Sequence, residues 1–107
     1  MPKYLWKASY TTKGVRGVAT EGGTSRREAV RATTESLGGK LEAFYFAFGK
    51  DDVVVIADFP DAISAAALSV AIGTTGAARC RTTPLMTPAE MDKAVSKNTA
   101  YRAPGND

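Results

Sequence analysis

Few residues in this chain of 107 carry the chemistry of catalysis or ligation. There is no histidine, which removes His-based triads, haem ligation through His and most zinc or non-haem iron sites. The single cysteine, Cys80, sits between Arg79 and Arg81, and two adjacent guanidinium groups could lower a thiol pKa toward the thiolate. Without a histidine as base, the plainer reading of Cys80 is a small buried hydrophobe. Arg79 and Arg81 have the same parity on a strand. If their face lines a ligand site they bind an anion or pair with Glu42 or Asp58; if it points outward they are solubilising edge charges. Thr24, Ser25, Arg26 and Arg27 follow Gly22-Gly23 at the start of a helical pattern, so backbone N–H groups and two guanidinium groups could hold a phosphate or carboxylate. The spacing matches no P-loop, and a helix start with solvated arginines also accounts for it. Trp6, Tyr10, Phe44, Phe46 and Phe48 could wall an apolar pocket, or pack as aromatics usually do. Asp51, Asp52 and Asp58 reproduce neither a calcium loop nor a carboxylate cage, so no metal and no cofactor are expected.

The elements that must position these groups belong to one domain. Hydrophobic residues make up 44% of the chain and charged residues 23%, the balance of a globular protein too short for two independent cores. Fourteen Lys and Arg against eleven Asp and Glu give +3, scattered along the chain rather than gathered into the patch a nucleic-acid binder uses. No apolar run approaches the ~20 residues that cross a bilayer, and the N-terminus lacks a signal-peptide core. One cysteine excludes an internal disulfide and suits a reducing, cytoplasmic setting.

Residues 3–10 read as a first strand with Tyr4, Trp6, Ala8 and Tyr10 on one face. Thr11 to Gly14 reads as a loop, followed by an indistinct segment to Glu21. Ser25-Arg26-Arg27-Glu28 matches a capping box. Val30, Thr33, Thr34 and Leu37 then recur at helical spacing, Arg31 and Glu35 can pair at i, i+4, and Gly38-Gly39 ends the helix. A second strand over 40–48 sets Leu41, Ala43, Tyr45 and Ala47 against Glu42, Phe44, Phe46 and Phe48. Gly49-Lys50-Asp51-Asp52 is a hairpin turn before a third strand over 52–59. Asp61 or Ser64 caps a helix from Ala65 to about Ile72. Residues 77–83 form the least distinct strand. Thr87-Pro88-Ala89-Glu90 opens a last helix with Thr at the cap, Pro at N1 and Glu at N3. The domain spans 1–101, with a polar tail over 102–107.

The order β-α-β-β-α-β-α is the ferredoxin-like split arrangement with an added C-terminal helix, an α+β fold on a four-stranded antiparallel sheet. Two helices cover one face of such a sheet. Strand three is apolar on both sides, with Val53, Val55 and Ala57 opposed to Val54 and Ile56. A one-sided sheet would alternate apolar with polar. A second copy of the same sheet would cover the other face, giving a dimeric α+β barrel.

The chain resembles the GYD-domain family, small proteins of the dimeric α+β barrel superfamily. The resemblance is carried by Met1-Pro2-Lys3-Tyr4, Gly22-Gly23-Thr24, Arg26-Arg27-Glu28-Ala29, the stretch from Leu37 to Tyr45, Val53 to Asp58 with Pro60-Asp61, Thr82-Thr83-Pro84-Leu85 and Thr87-Pro88-Ala89-Glu90. It extends over nearly the whole chain. The Gly-Tyr-Asp turn of the family's name is replaced here by Gly49-Lys50-Asp51-Asp52, so any role of that tyrosine is lost. The resemblance implies the barrel fold and self-association; no activity is settled for the family, so it implies no catalytic residue.

Two classes of function follow. One is a homo-oligomeric binding or accessory module with a small-molecule cleft, its partners a second copy and a small organic ligand. The other is a cofactor-independent monooxygenase or isomerase acting on a small aromatic substrate, for which Tyr10, Asp58, Arg79 and Arg81 are the groups able to handle protons or stabilise an oxyanion. RNA binding through the ferredoxin-like layout is disfavoured, since residues 52–59 lack the glycines and stacking aromatics of the RNA-recognition strand.

Overall fold

The aromatic-rich run from Lys3 to Tyr10 forms the first strand, β1 (Lys3–Tyr10). Tyr4, Trp6 and Ala8 are buried on one side, while Lys7 between them faces out, as the two-residue period of a strand requires. The computed structural model describes residues 1–105; Asn106 and Asp107, the end of the expected tail, lie outside the described residues.

The next element departs from expectation. Residues read as a loop and an indistinct segment form a ten-residue helix, α1 (Thr12–Glu21), capped by the Thr11 hydroxyl, which accepts from the Gly14 N–H at 3.3 Å. Two glycines and two β-branched valines give this stretch weak helix propensity; tertiary contact supplies the rest, because Gly14 is buried against the Ala77 carbonyl and the Tyr10 ring. Gly22, at φ +89°, turns the chain directly into α2 (Gly23–Ser36). The capping box expected at Ser25 therefore does not form. Ser25 already lies in the helix and donates its hydroxyl to Glu21 Oε1 at 3.0 Å. Glu28 pairs with Arg27 and Arg31, so Arg31 reaches back three residues instead of forward to Glu35. The inward face is the expected one: Thr34 is fully buried and returns its hydroxyl to the Val30 carbonyl at 2.8 Å. Gly38 at φ +79° ends the turn that follows.

Two strands follow, β2 (Lys40–Phe46) and β3 (Val53–Asp58), joined by the loop around Gly49. A bulge between Leu41 and Ala43 corrects the expected alternation of β2. The extra residue moves Leu41 onto the same face as Phe44 and Phe46, leaving Ala43 and Tyr45 on the other. Phe48 lies beyond the strand and is fully exposed. Asp61 caps α3 (Ala62–Thr74), accepting the Ser64 N–H at 2.7 Å. The last strand, β4 (Ala78–Leu85), precedes α4 (Pro88–Ser96), whose Thr87–Glu90 capping box forms in full.

The sheet order is β2-β3-β1-β4, with every neighbouring pair antiparallel, the order of the ferredoxin-like fold. Each βαβ connection leaves room for one strand between its ends. Helices α2 and α3 pack against β2 and β4 on one face. Here Trp6, Phe59 and Leu68 are almost wholly buried, the Trp6 and Phe59 rings edge-on at 5.4 Å. The opposite face carries Leu5, Ala43, Val54 and Ile56, all half-buried, beside the exposed Tyr45. Every residue of α4 is exposed. The described chain extends 59 × 32 × 22 Å with a radius of gyration of 17.1 Å, against about 13 Å for a compact domain of this size.

Candidate functional site

Between the sheet and helices α2 and α3 lies a cavity of about 350 Å³. Its floor is the helix-facing side of the sheet: Trp6, Ala8 and Tyr10 from β1, Val53 and Val55 from β3, Phe44 from β2 and Cys80 from β4. Its walls come from Val30, Thr33 and Arg26 on α2 and from Leu68, Ile72 and Thr75 near or on α3. The cavity has a sequence cause. Ala8, Ala29, Ala71, Ala77 and Ala78 all line it, and methyl side chains cannot fill the gap that larger residues hold open.

Trp6 is 2% exposed and donates its indole N–H to Ser69 Oγ at 2.9 Å, while the Ser69 oxygen also lies 2.6 Å from Thr82 Oγ1. Tyr10 is anchored through its backbone N–H, which donates to Asp52 Oδ2 at 2.8 Å. Burial pushes the Tyr10 phenol up from its ordinary value, with the Arg26 guanidinium beside it pulling the other way; the hydroxyl keeps its proton at neutral pH. Burial also pushes the Cys80 thiol up, against a weak contact to the Ser69 carbonyl at 4.0 Å. That direction runs against a thiolate at Cys80. Its neighbouring arginines cannot act on it, for a reason of register.

Ala78 and Cys80 stand opposite Tyr10 and Ala8, so Arg79 and Arg81 stand opposite Ser9 and Lys7 on the other face. The six residues considered together as one ligand site thus divide. Trp6, Tyr10 and Phe44 line the cavity, and Phe46 lies at a shallow groove outside it with Phe44, Gly23, Thr24 and Arg27. Arg79 and Arg81 lie across the sheet, where Arg81 donates to both oxygens of Asp51 at 2.9 and 3.1 Å. The carboxylates proposed as their partners belong instead to Lys3, whose Nζ lies 2.8 Å from both Glu42 Oε1 and Asp58 Oδ1 and whose pKa is raised chiefly by the Asp58 bond.

The expected anion site divides as well. Thr24 and Arg27 face the shallow groove, Ser25 bonds Glu21, and Arg26 alone reaches the cavity, with Nη1 at 3.4 Å from Glu21 Oε2. Ser69, Leu68 and Ile72 are the lining or supporting residues that pattern reading passed over as site residues. Their apolar or small character on a helix signals burial without saying that space remains beside them. Among the described residues, no three His, Cys, Asp or Glu side chains gather as metal ligands, and no helix is long and apolar enough to cross a membrane.

An antiparallel sheet in the order β2-β3-β1-β4, two helices on one face and an apolar chamber between the layers define a ferredoxin-like α+β domain. The family model described as the GYD domain matches residues 4–95, and the chain belongs to that family. Comparison with curated proteins and with solved structures returned no match.

Proposed function

We propose that this protein is a self-associating binding module that holds a small, largely apolar organic molecule in the chamber between sheet and helices. The observation that carries this reading is the chamber itself: about 350 Å³, within the ~300–1,000 Å³ range of small-molecule sites, walled mostly by apolar side chains with a few polar groups among them. Binding is favoured over catalysis. Of the groups weighed for proton handling, Tyr10 reaches the chamber, whereas Asp58, Arg79 and Arg81 are on the opposite face.

Self-association is supported by two surfaces. One is the apolar strip of Leu5, Val54 and Ile56 on the open side of the sheet. The other is α4, whose Met91 and Val95 are exposed; nine-residue helices are marginal without tertiary support. A second copy facing the sheet would bury the strip and form the dimeric barrel. The single tryptophan makes the chamber reading testable. A titration of small aromatic compounds is expected to change Trp6 fluorescence saturably, and Ala71→Phe, which puts a ring into the chamber wall without adding a second indole, should abolish the response. Non-saturating behaviour across aromatic and aliphatic series would overturn the reading.

A further inference from the structure

The chamber wall is chemically uneven. Most of its wall is apolar, and Arg26 is the one charged residue among those that line it. Other polar groups in the wall are already committed to nearby backbone: Thr33 donates to the Ala29 carbonyl at 3.1 Å, and Thr75 donates to the Ile72 carbonyl at 2.7 Å and accepts the Ala77 N–H at 3.1 Å. Arg26 and the Tyr10 hydroxyl are the polar groups not spent in this way, and both residues line the chamber, the guanidinium acting on the phenol.

Arg26 is held loosely. Its ion pair is one long contact of 3.4 Å to Glu21, and both side chains are substantially exposed. An exposed pair of this kind contributes little to stability. A guanidinium presents five donors in a planar fork that fits a carboxylate through two parallel bonds, so a ligand can offer it more than Glu21 does.

Resting on the reading of the chamber as a binding site, we infer that its ligand is a small apolar carboxylic acid, bound as the carboxylate by Arg26 with the Tyr10 hydroxyl as a second donor. The hydrocarbon part lies against Trp6, Phe44 and Leu68. Two acids, Glu21 paired with Arg26 and Asp52 bonded to the Tyr10 backbone N–H, restrict the charge the site accepts. A monoanion displaces Glu21 from Arg26 one for one, whereas a dianionic phosphate would bring a second negative charge to a wall that holds a single cation.

The test compares 2-naphthoate with the isosteric neutral 2-naphthamide, following the Trp6 indole signal, the single such resonance in a proton–nitrogen NMR spectrum. The acid is expected to bind about tenfold or more tightly than the amide, the size of a charge-assisted hydrogen bond over a neutral one. Arg26→Gln should bring the two affinities together while leaving the amide within about twofold. Arg31→Gln, on the same helix but outside the chamber wall, should preserve the preference. Glu21→Gln, which removes the competitor, should strengthen the acid a few-fold and leave the amide unchanged, a result available even if the Arg26 variant folds poorly. Equal affinities in the native protein, or a preference that survives Arg26→Gln, overturn this inference and leave the chamber reading standing. Failure of both compounds to move the indole signal at millimolar concentration overturns the two together.

Discussion

Ser69, on α3, anchors the tryptophan of the chamber floor. It accepts the indole N–H of Trp6 at 2.9 Å in a place where the ring is almost fully buried. Ser69→Ala would leave that N–H unpaired away from water, and the expected cost is about 1–3 kcal/mol, measured as a lowered denaturant midpoint at unchanged slope. That Trp6 shares a face with Tyr4, Ala8 and Tyr10 was legible from their common parity along one strand. Its partner was not. Ser69 is sixty-three positions away, and nothing in local spacing links a helical serine to a strand tryptophan. Arg26 shows the same limit in another form: its type suggested an anion, but the direction of its side chain depends on where α2 begins.

At the scale of elements, α1 and α4 make opposite cases. Helix α1 escaped pattern reading because its glycines and valines oppose helix formation locally, while packing of Gly14 beneath Ala77 favours it. An exposed helical Gly→Ala change stabilises by about 1 kcal/mol. At Gly17, where an added methyl meets open space, that gain is expected. At Gly14 the methyl would land on the Ala77 carbonyl oxygen, and a loss of about 1–3 kcal/mol is expected instead. Thermal unfolding of the two variants should therefore shift in opposite directions. Helix α4 was legible to the residue at its start, since a capping box uses only atoms of its own first turn. The same signature failed at Ser25, where α1 runs into α2 through Gly22 and leaves no free helix end to cap. Hydrogen bonds from the Thr87 N–H and hydroxyl hold the Glu90 carboxyl below the usual glutamate range. A depressed native pKa means that the stabilisation is present above the unfolded value of about 4.3 and is lost as pH falls through the native one. Helical circular dichroism should decline over that acid interval, and Glu90→Gln should remove this component of the decline.

For the whole molecule, the contrast is between two sheet faces. One is filled by helices and a chamber; the other presents Leu5, Val54 and Ile56 between the Lys3–Glu42–Asp58 and Arg81–Asp51 ion pairs. If that strip is the contact between two copies, Ile56→Lys places an unpaired charge at its centre. The expected outcome is a dissociation constant raised about thirtyfold or more, read by sedimentation across a concentration series. Unaltered association would exclude this face, and a native protein that stays monomeric would exclude the dimer. Helix α3 bears on the same question, since Ile63 and Val70 are exposed on its outer side and a helix apolar all round suits burial beyond its own sheet.

By itself, the sequence determined the strands, the two-sided apolar character of β3, the cap of α4 and membership in a family of known layout. These depend on neighbours within a few residues or on a pattern running the length of the chain. Tertiary structure decided the rest: the helix at α1, the bulge that turned Leu41 toward Phe44, the separation of Arg79 and Arg81 from the aromatics, and the chamber. Each depends on register or packing between segments far apart in the chain. A shift of one residue exchanges the two faces of a strand, and an empty volume belongs to the arrangement of its walls.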